Sequence, residues 1–546
     1  MQKLLHQLLV LSLCLLLPAC SHYSKARLRP ISKVTVTAEQ KDLYKSTKKF
    51  SKQPHKQLAL YLDAANAARL RLVTHPQNTV ALVDYNFATS RIVEIISEAN
   101  LRPWENPLGC ESDTSGQWSL SLKPAHQRQA DNLNLYQLSS ADRYDFKGKL
   151  VGERILKEGL GAPVIAIAKD ASLKEFSKYA KQGLPMFYGL TAVIQFNGRN
   201  CELQLIDPLA KENVSFNGRS YPLAADFQAP LALTLADLDL KKVELSGMFS
   251  PSKHENSARL AQLQPYDPSK TPVLFIHGLG NSPATWAPMF SYLRNDEQIR
   301  MRYQFWFFSY PTGVPYPANA AILRTQLDQM KKRYPGHKDI VVVAHSLGGN
   351  ITRLLITDSG MKLWDKYFAQ DPSDIPFHED TRKFLSESLI FKARNDISRV
   401  IFASASLRGS NDATNFVGRM GAKLIGNPLA EDQITEETLE YLRPEVKAMG
   451  KKHLPNSVEI LNPESQFLLS VNALPIKPGI PYHSLLGDRG KGDNLDHTKP
   501  QSSDGIVPYW SSHLDGAQSE LVIPSEHWSI LHPLGMAEVK RILKKY

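Results

Sequence analysis

The second half of this 546-residue chain predicts an α/β fold, a mostly parallel sheet with helices on both faces. Two stretches carry that expectation. In the first, Ile340-Val341-Val342-Val343 is an unbroken apolar run, followed by Ala344-His345-Ser346-Leu347-Gly348-Gly349-Asn350 and then by Ile351-Thr352-Arg353-Leu354-Leu355-Ile356, which has helical spacing. An apolar run without polar alternation suits a strand buried on both faces. The second is Thr271-Pro272-Val273-Leu274-Phe275-Ile276, another such strand, running into the loop His277-Gly278-Leu279-Gly280. Val400-Ile401-Phe402-Ala403, Tyr482-His483-Ser484-Leu485-Leu486-Gly487 and Glu520-Leu521-Val522-Ile523 read as further strands of the same sheet.

Strand, tight turn and helix with a serine at the apex is the arrangement that presents a nucleophile. The serine occupies a strained turn, and the positions two before and two after it must be small for strand and helix to approach. Here those positions are Ala344 and Gly348, so alanine replaces the usual first glycine. The backbone N–H after the nucleophile, that of Leu347, is then an oxyanion donor.

A serine nucleophile needs a base, and the base needs an acid to fix its tautomer and stabilise the imidazolium. Downstream, Gln501-Ser502-Ser503-Asp504-Gly505-Ile506-Val507-Pro508 reads as a loop with an acid at its turn, and His527 stands four residues after the Glu520 strand. The order Ser346, Asp504, His527 suits this chemistry. Two rivals remain at this point: His532, nine residues after the same strand, and Asp488, directly after the Tyr482 strand.

Two more phrases complete the pattern: Gly280-Asn281-Ser282-Pro283-Ala284-Thr285-Trp286, and Tyr303-Gln304-Phe305-Trp306 ahead of Tyr310-Pro311-Thr312-Gly313. Together these motifs resemble the α/β-hydrolase fold of bacterial lipases and esterases, close to proteins whose catalytic region is similar to the GPI-inositol deacylases. The resemblance covers about half of the chain, residues 271–546, and the catalytic domain is expected over 265–546. It implies an ester-cleaving serine hydrolase, and in the resembling lipases the second oxyanion donor follows the His-Gly pair, which points to Leu279. No cofactor is implied.

The N-terminus reads as an export signal. Met1-Gln2-Lys3 leads a leucine-dominated run that ends at Leu17-Pro18-Ala19-Cys20, too short for a spanning helix. Leu17 and Ala19 resemble the lipobox of bacterial lipoproteins, which makes residues 1–19 a signal peptide and Cys20 the lipidated residue. Ser21, not an aspartate, then points to the outer membrane of the cell envelope. The net charge of +11 raises the question of nucleic acid, but ten Lys or Arg against two acids between residues 21 and 56 place most of it beside the anchor. Residues 20–56 are therefore expected as a basic flexible tether near anionic lipid, not a nucleic-acid arm, since aromatics are not interleaved with the charges.

Residues 57–110 are expected as a helical hairpin around His75-Pro76-Gln77-Asn78, resembling one tetratricopeptide unit and packed on the hydrolase. Residues 111–250 are expected as an accessory β-rich region, with a hairpin at Asn197-Gly198-Arg199-Asn200. Cys110 and Cys201 are either a disulfide, since export reaches an oxidising compartment, or two buried free thiols. Cysteine and histidine spacings suggest no metal site, and a calcium loop at Asp488, Asp493 and Asp496 is the weaker reading of a solvated acidic loop. An insertion at about 405–480 is expected to cap the active site.

The sequence thus predicts a lipid-anchored serine hydrolase acting on carboxylic esters, with acyl lipids as substrate. Two alternatives use the same chain: a lipid acyltransferase with the same triad, and a non-catalytic envelope lipoprotein with a relic hydrolase fold. Any protein partner is unknown from the sequence.

Overall fold

The computed structural model describes residues 25–112, 116–124, 132–148, 150–151, 154–168, 187–237, 258–411, 433–448, 455–489, 494 and 496–546. The signal sequence, Cys20, Asp493 and residues 416–425 of the expected cap lie outside the described residues. The described chain divides into two compact units, 25–237 and 258–546. Among the described residues no helix is long and apolar enough to cross a membrane.

The first unit is built on a six-stranded sheet: β1 (Leu108–Ser112), β2 (Gly116–Lys123), β3 (Tyr136–Ser140), β4 (Ala162–Ala168), β5 (Phe187–Asn197) and β6 (Asn200–Ile206), in the order β1-β2-β6-β5-β4-β3. All neighbours are antiparallel except β2 and β6. The β5–β6 hairpin turns at Gly198, whose φ of 59° explains the glycine there. Helices α2 (Pro54–Thr74) and α3 (Thr79–Glu98) form the hairpin, which packs on this sheet, α2 over β1 and α3 over β3 to β5. Tyr85 of α3 exchanges two hydrogen bonds with the backbone of Ile194 on β5, each 2.8 Å. The hairpin and the β-rich region are therefore one body and not two domains, because a lone hairpin has no second layer on which to bury Leu58, Leu62, Ala65, Ala88 and Ile92.

The expected tether is also corrected, for the chain is folded from Lys25 onward. Lys25–Leu28 pairs with Tyr144–Lys147, and α1 (Ala38–Lys48) starts at a capping box formed by Thr37 and Gln40. A buried acid on α3 holds that cap: Asp84 accepts Thr37 Oγ1 at 2.9 Å, Gln40 Nε2 at 3.2 Å and Arg71 Nη2 at 2.9 Å. The lysines misled the reading because they all lie on the outer side of α1, while Gln40 and Thr47 form its buried seam.

The disulfide is overturned as well. Cys110 lies opposite Trp118 and Cys201 opposite Leu120, so β2 runs between them and both are free and buried. Two strand spacings separate their backbones by roughly 9–10 Å, beyond the ~7 Å that a disulfide can bridge. Burial pushes the Cys110 thiol up to about 11.

The second unit carries β7 (Arg259–Gln262), β8 (Thr271–Ile276), β9 (Tyr303–Ser309), β10 (Ile340–His345), β11 (Ile397–Ala403), β12 (Tyr482–Gly487) and β13 (Ser519–Ile523), ordered β7-β9-β8-β10-β11-β12-β13. Only β7 is antiparallel to its neighbour, so the sheet begins before the expected boundary at 265. One face buries Leu274, Trp306, Val342 and Phe402 against α4 (Tyr316–Arg333), α5 (Leu347–Arg353) and α6 (Glu379–Leu389). On the other face Phe275 stacks between Phe305 and Phe307, with Phe290 set edge-on against both. Both faces being covered is why these strands read as continuous apolar runs. Described parts of the expected cap include α7 (Gln433–Tyr441) and α8 (Gln466–Asn472). The last helix, α9 (Pro533–Lys545), receives a 2.7 Å bond from Tyr303 at the Leu543 carbonyl.

Candidate active site

Ser346 stands between the last residue of β10 and the first of α5, with φ 54° and ψ −124°. That backbone is unfavourable for a side chain bearing Cβ, at roughly 1–3 kcal/mol. Burying each valine of β10 is worth about 1.5–3 kcal/mol, and all of its residues are buried, so packing outweighs the strain. The neighbours leave no room for bulk. A Cβ on Gly278 would stand 2.8 Å from the Cβ of Ser346, one on Gly348 would strike the Ile276 carbonyl, and one on Gly349 the Ala405 methyl.

The His277 to Gly280 loop thus lies directly against Ser346. Leu279 sits within it, and Leu347, as the first residue of α5, has an N–H with no acceptor inside the helix. Thr312 accepts the Gly280 N–H at 3.1 Å and Tyr310 donates to the His277 carbonyl at 2.6 Å, so the loop is held from the segment after β9.

Asp504 and His527 are brought together: Nδ1 of His527 lies 2.8 Å from Oδ2 of Asp504, both residues buried. With the carboxylate accepting, His527 carries its proton on Nδ1 and leaves Nε2 as a free base. The other Asp504 oxygen accepts the N–H groups of Ile506 and Val507 at 2.9 and 2.7 Å. Burial pushes the Asp504 carboxyl up, but His527 and these two N–H groups outweigh it and hold the carboxyl below its ordinary value.

The rivals fall elsewhere. His532 is half-buried and caps α9, its Nδ1 accepting the Leu534 N–H. Asp488 is buried and accepts the Asn494 N–H at 3.2 Å. Asp496 accepts from Thr498, and among the described residues no group of side chains is arranged to hold a metal.

Sequence reasoning missed what positions His527. His345, beside Ser346 in the chain, donates Nε2–H to the His527 carbonyl at 2.8 Å. Its ring lies 4.8 Å from that of His527 and stacks on Trp528 at 5.4 Å. Ser404, itself at φ 45°, meets Ser529 through their hydroxyls at 2.8 Å. Only the histidine within the serine motif was a visible signal, and its partner is 182 residues away.

With that geometry in place, the family model described as alpha/beta hydrolase family matches residues 273–539. That stretch has the α/β-hydrolase fold. Among solved structures, a Bacillus licheniformis lipase in its mature form is 18% identical over 52% of this chain and 97% of its own, with a TM-score of 0.31. EstA from Clostridium botulinum is 13% identical over 56% of this chain and 96% of its own, TM-score 0.31. A metagenomic carboxyl esterase is 15% identical over 51% and 77%, TM-score 0.27. No curated protein matches the chain significantly.

Two buried histidines give the hydrolase domain an acid limit. Burial, with His527 adding to it, holds His345 down to about 3, and burial holds His277 down to about 4. Each is neutral when folded and regains its ordinary value near 6.5 when unfolded. The unfolded state therefore binds more protons below that value, and stability present above about pH 6.5 is lost as pH falls toward 4. At pH 5 the His345 contribution is about 2 kcal/mol. Urea unfolding at pH 7.5 and pH 5 is expected to show a clear acid loss in the wild type and a smaller one in His345→Gln; equal losses would contradict a neutral His345.

Proposed function

We propose that the protein is a serine hydrolase of carboxylic esters, with acyl lipids as its substrate class. The observation that carries this reading is the buried Asp504–His527 pair at 2.8 Å, held by His345 to the strained turn of Ser346. Ser346 Oγ attacks the ester carbonyl while His527 Nε2 takes its proton. Asp504 stays ionised and stabilises the imidazolium. The N–H groups of Leu279 and Leu347 donate to the oxyanion, each worth about two to three powers of ten in rate. The alcohol leaves with the proton from His527, and water then cleaves the acyl-enzyme by the same route. An apolar cavity of about 430 Å³ lined by Phe368, Phe384, Leu385, Leu389, Leu442 and Phe467 lies in the same unit, with Ser346, Asp504 and His527 not among its lining residues. The likeness to GPI-inositol deacylases enters as sequence support only, and a relic fold fits poorly with a fully bonded buried carboxylate.

The test is kinetic, on p-nitrophenyl esters of increasing chain length. Ser346→Ala and His527→Ala are each expected to lose about four powers of ten or more in kcat, because triad members act as a unit. His532→Ala should stay within about two-fold, as a helix cap without a bond to Asp504 or Ser346. Full turnover by Ser346→Ala would end the assignment.

We also propose that the protein is a lipoprotein of the bacterial envelope, held through Cys20 at the outer membrane. The lipobox-like Leu17-Pro18-Ala19-Cys20 supports it. Cys20→Ser is expected to abolish incorporation of labelled palmitate while esterase turnover persists. Equal labelling of both proteins would exclude lipidation at this residue.

A further inference from the structure

The end of the α2–α3 hairpin exposes aliphatic side chains that nothing in the hydrolase chemistry explains. Leu70 and Val73 in the last turn of α2, and Val80 and Val83 in the first turns of α3, are between 40 and 50% exposed, and Val36, just before the cap of α1, is 75% exposed. The four helical residues lie within about 6 Å of the hairpin's end by helical rise. Val36 joins them because the Gln40 side chain bonds both the Val36 N–H and the Val83 carbonyl. Lys33 and Lys41 flank Val36 in the chain and are exposed, while Asp84 is buried in its own bonds, leaving Glu39 as the exposed acid of that turn.

We propose that this tip docks on an anionic lipid surface. The composition favours lipid over protein: the cores of protein interfaces are enriched in aromatics, methionine and arginine and depleted of lysine, whereas the exposed apolar residues here are all aliphatic, with Lys33 and Lys41 nearby, Arg71 paired to Asp84, and Thr74, His75, Gln77 and Thr79 at the turn. Apolar side chains entering the headgroup boundary with lysines at its rim are what an anionic bilayer recognises. The chain's start supplies the proximity, and this part rests on lipidation at Cys20. Cys20 stands five residues before Lys25 in the chain, so the two lie at most about 17 Å apart. Arg29 is bonded to the Asp142 carbonyl, and Asp142 pairs with Arg91 of α3. From Arg91 to the tip at Val83 is about 12 Å along the helix. The first unit is thus held within a few tens of ångströms of the bilayer, and its lysines are attracted once they come within the Debye length of about 8 Å.

The experiment uses the chain from residue 20 onward with Cys20→Ser, so that no lipid anchor contributes. It is mixed with vesicles of phosphatidylglycerol and phosphatidylcholine in equal parts, or of phosphatidylcholine alone, and sedimented. Binding to the anionic vesicles is expected, weakening as salt rises. Leu70→Glu/Val80→Glu should partition about ten-fold or more weaker, Val36→Glu should move the same way, and Lys33→Glu/Lys41→Glu should lose only the anionic preference. Leu156→Glu, an exposed leucine elsewhere in the unit, should bind as before. Turnover of a soluble ester, measured in parallel, should be unchanged throughout, so a failed hydrolase reading is told apart from a failed docking reading. No binding by the parent chain, or undiminished binding by Leu70→Glu/Val80→Glu, overturns the proposal. So does a parent dimer that those substitutions split, which would make a second copy the occupant.

Discussion

The left-handed turn at Ser346 is the constraint on which the second unit depends. A serine at φ 54° and ψ −124° persists only where its surroundings fix it, and here both sides of the turn do so. The strand before it is locked between β8 and β11 by parallel ladders, and the helix after it can close on them only because Gly348 and Gly349 bring no Cβ against Ile276 and Ala405. The gap left in front of Ser346 is then just wide enough for Gly278. Ser346 and the His277 to Gly280 loop are therefore set by one packing event, and a methyl group at any of the three glycines would disturb both.

Holding His527 is a separate task, because it lies after β13, on the far edge of the sheet. Three contacts bring it back. His345 reaches its carbonyl, Asp504 reaches its Nδ1, and Ser529 just beyond it meets Ser404 at the end of β11. The Asp504 loop is braced in turn by Tyr509 and His513, which both bond the carboxylate of Glu520 on β13 at 2.6 and 2.7 Å. A buried carboxylate costs several kcal/mol when left alone. Asp504 avoids that cost with one imidazole and two backbone N–H groups, and the same bonds fix the His527 tautomer with its proton on Nδ1.

How much of this was legible in the sequence follows from the range of the interactions. The strands of the second unit were readable because burial on both faces makes them continuous apolar runs, and the turn was readable because its glycines are steric necessities a few residues from Ser346. The His345–His527 bond was not, since a histidine inside a buried motif has no pattern that names a partner 182 residues away. β7 was missed because Arg259-Leu260-Ala261-Gln262 is a short edge strand, half-buried throughout, with neither alternation nor a run. The N-terminal segment misled for a different reason. Its lysines are dense enough to look like a solvated arm, and the residues that fold it, Thr37, Gln40 and Thr47, are polar and work through Asp84 and Tyr61.

The central claim is that Ser346 is an activated nucleophile, and covalent trapping reads it without any assumption about substrate. Treating the purified protein with a fluorophosphonate, followed by peptide mass mapping, should give a single adduct on Ser346, formed much more slowly in Asp504→Asn, where the tautomer of His527 is no longer fixed. Failure to label, or an adduct on another serine such as Ser404 or Ser484 with Ser346 untouched, would contradict the account.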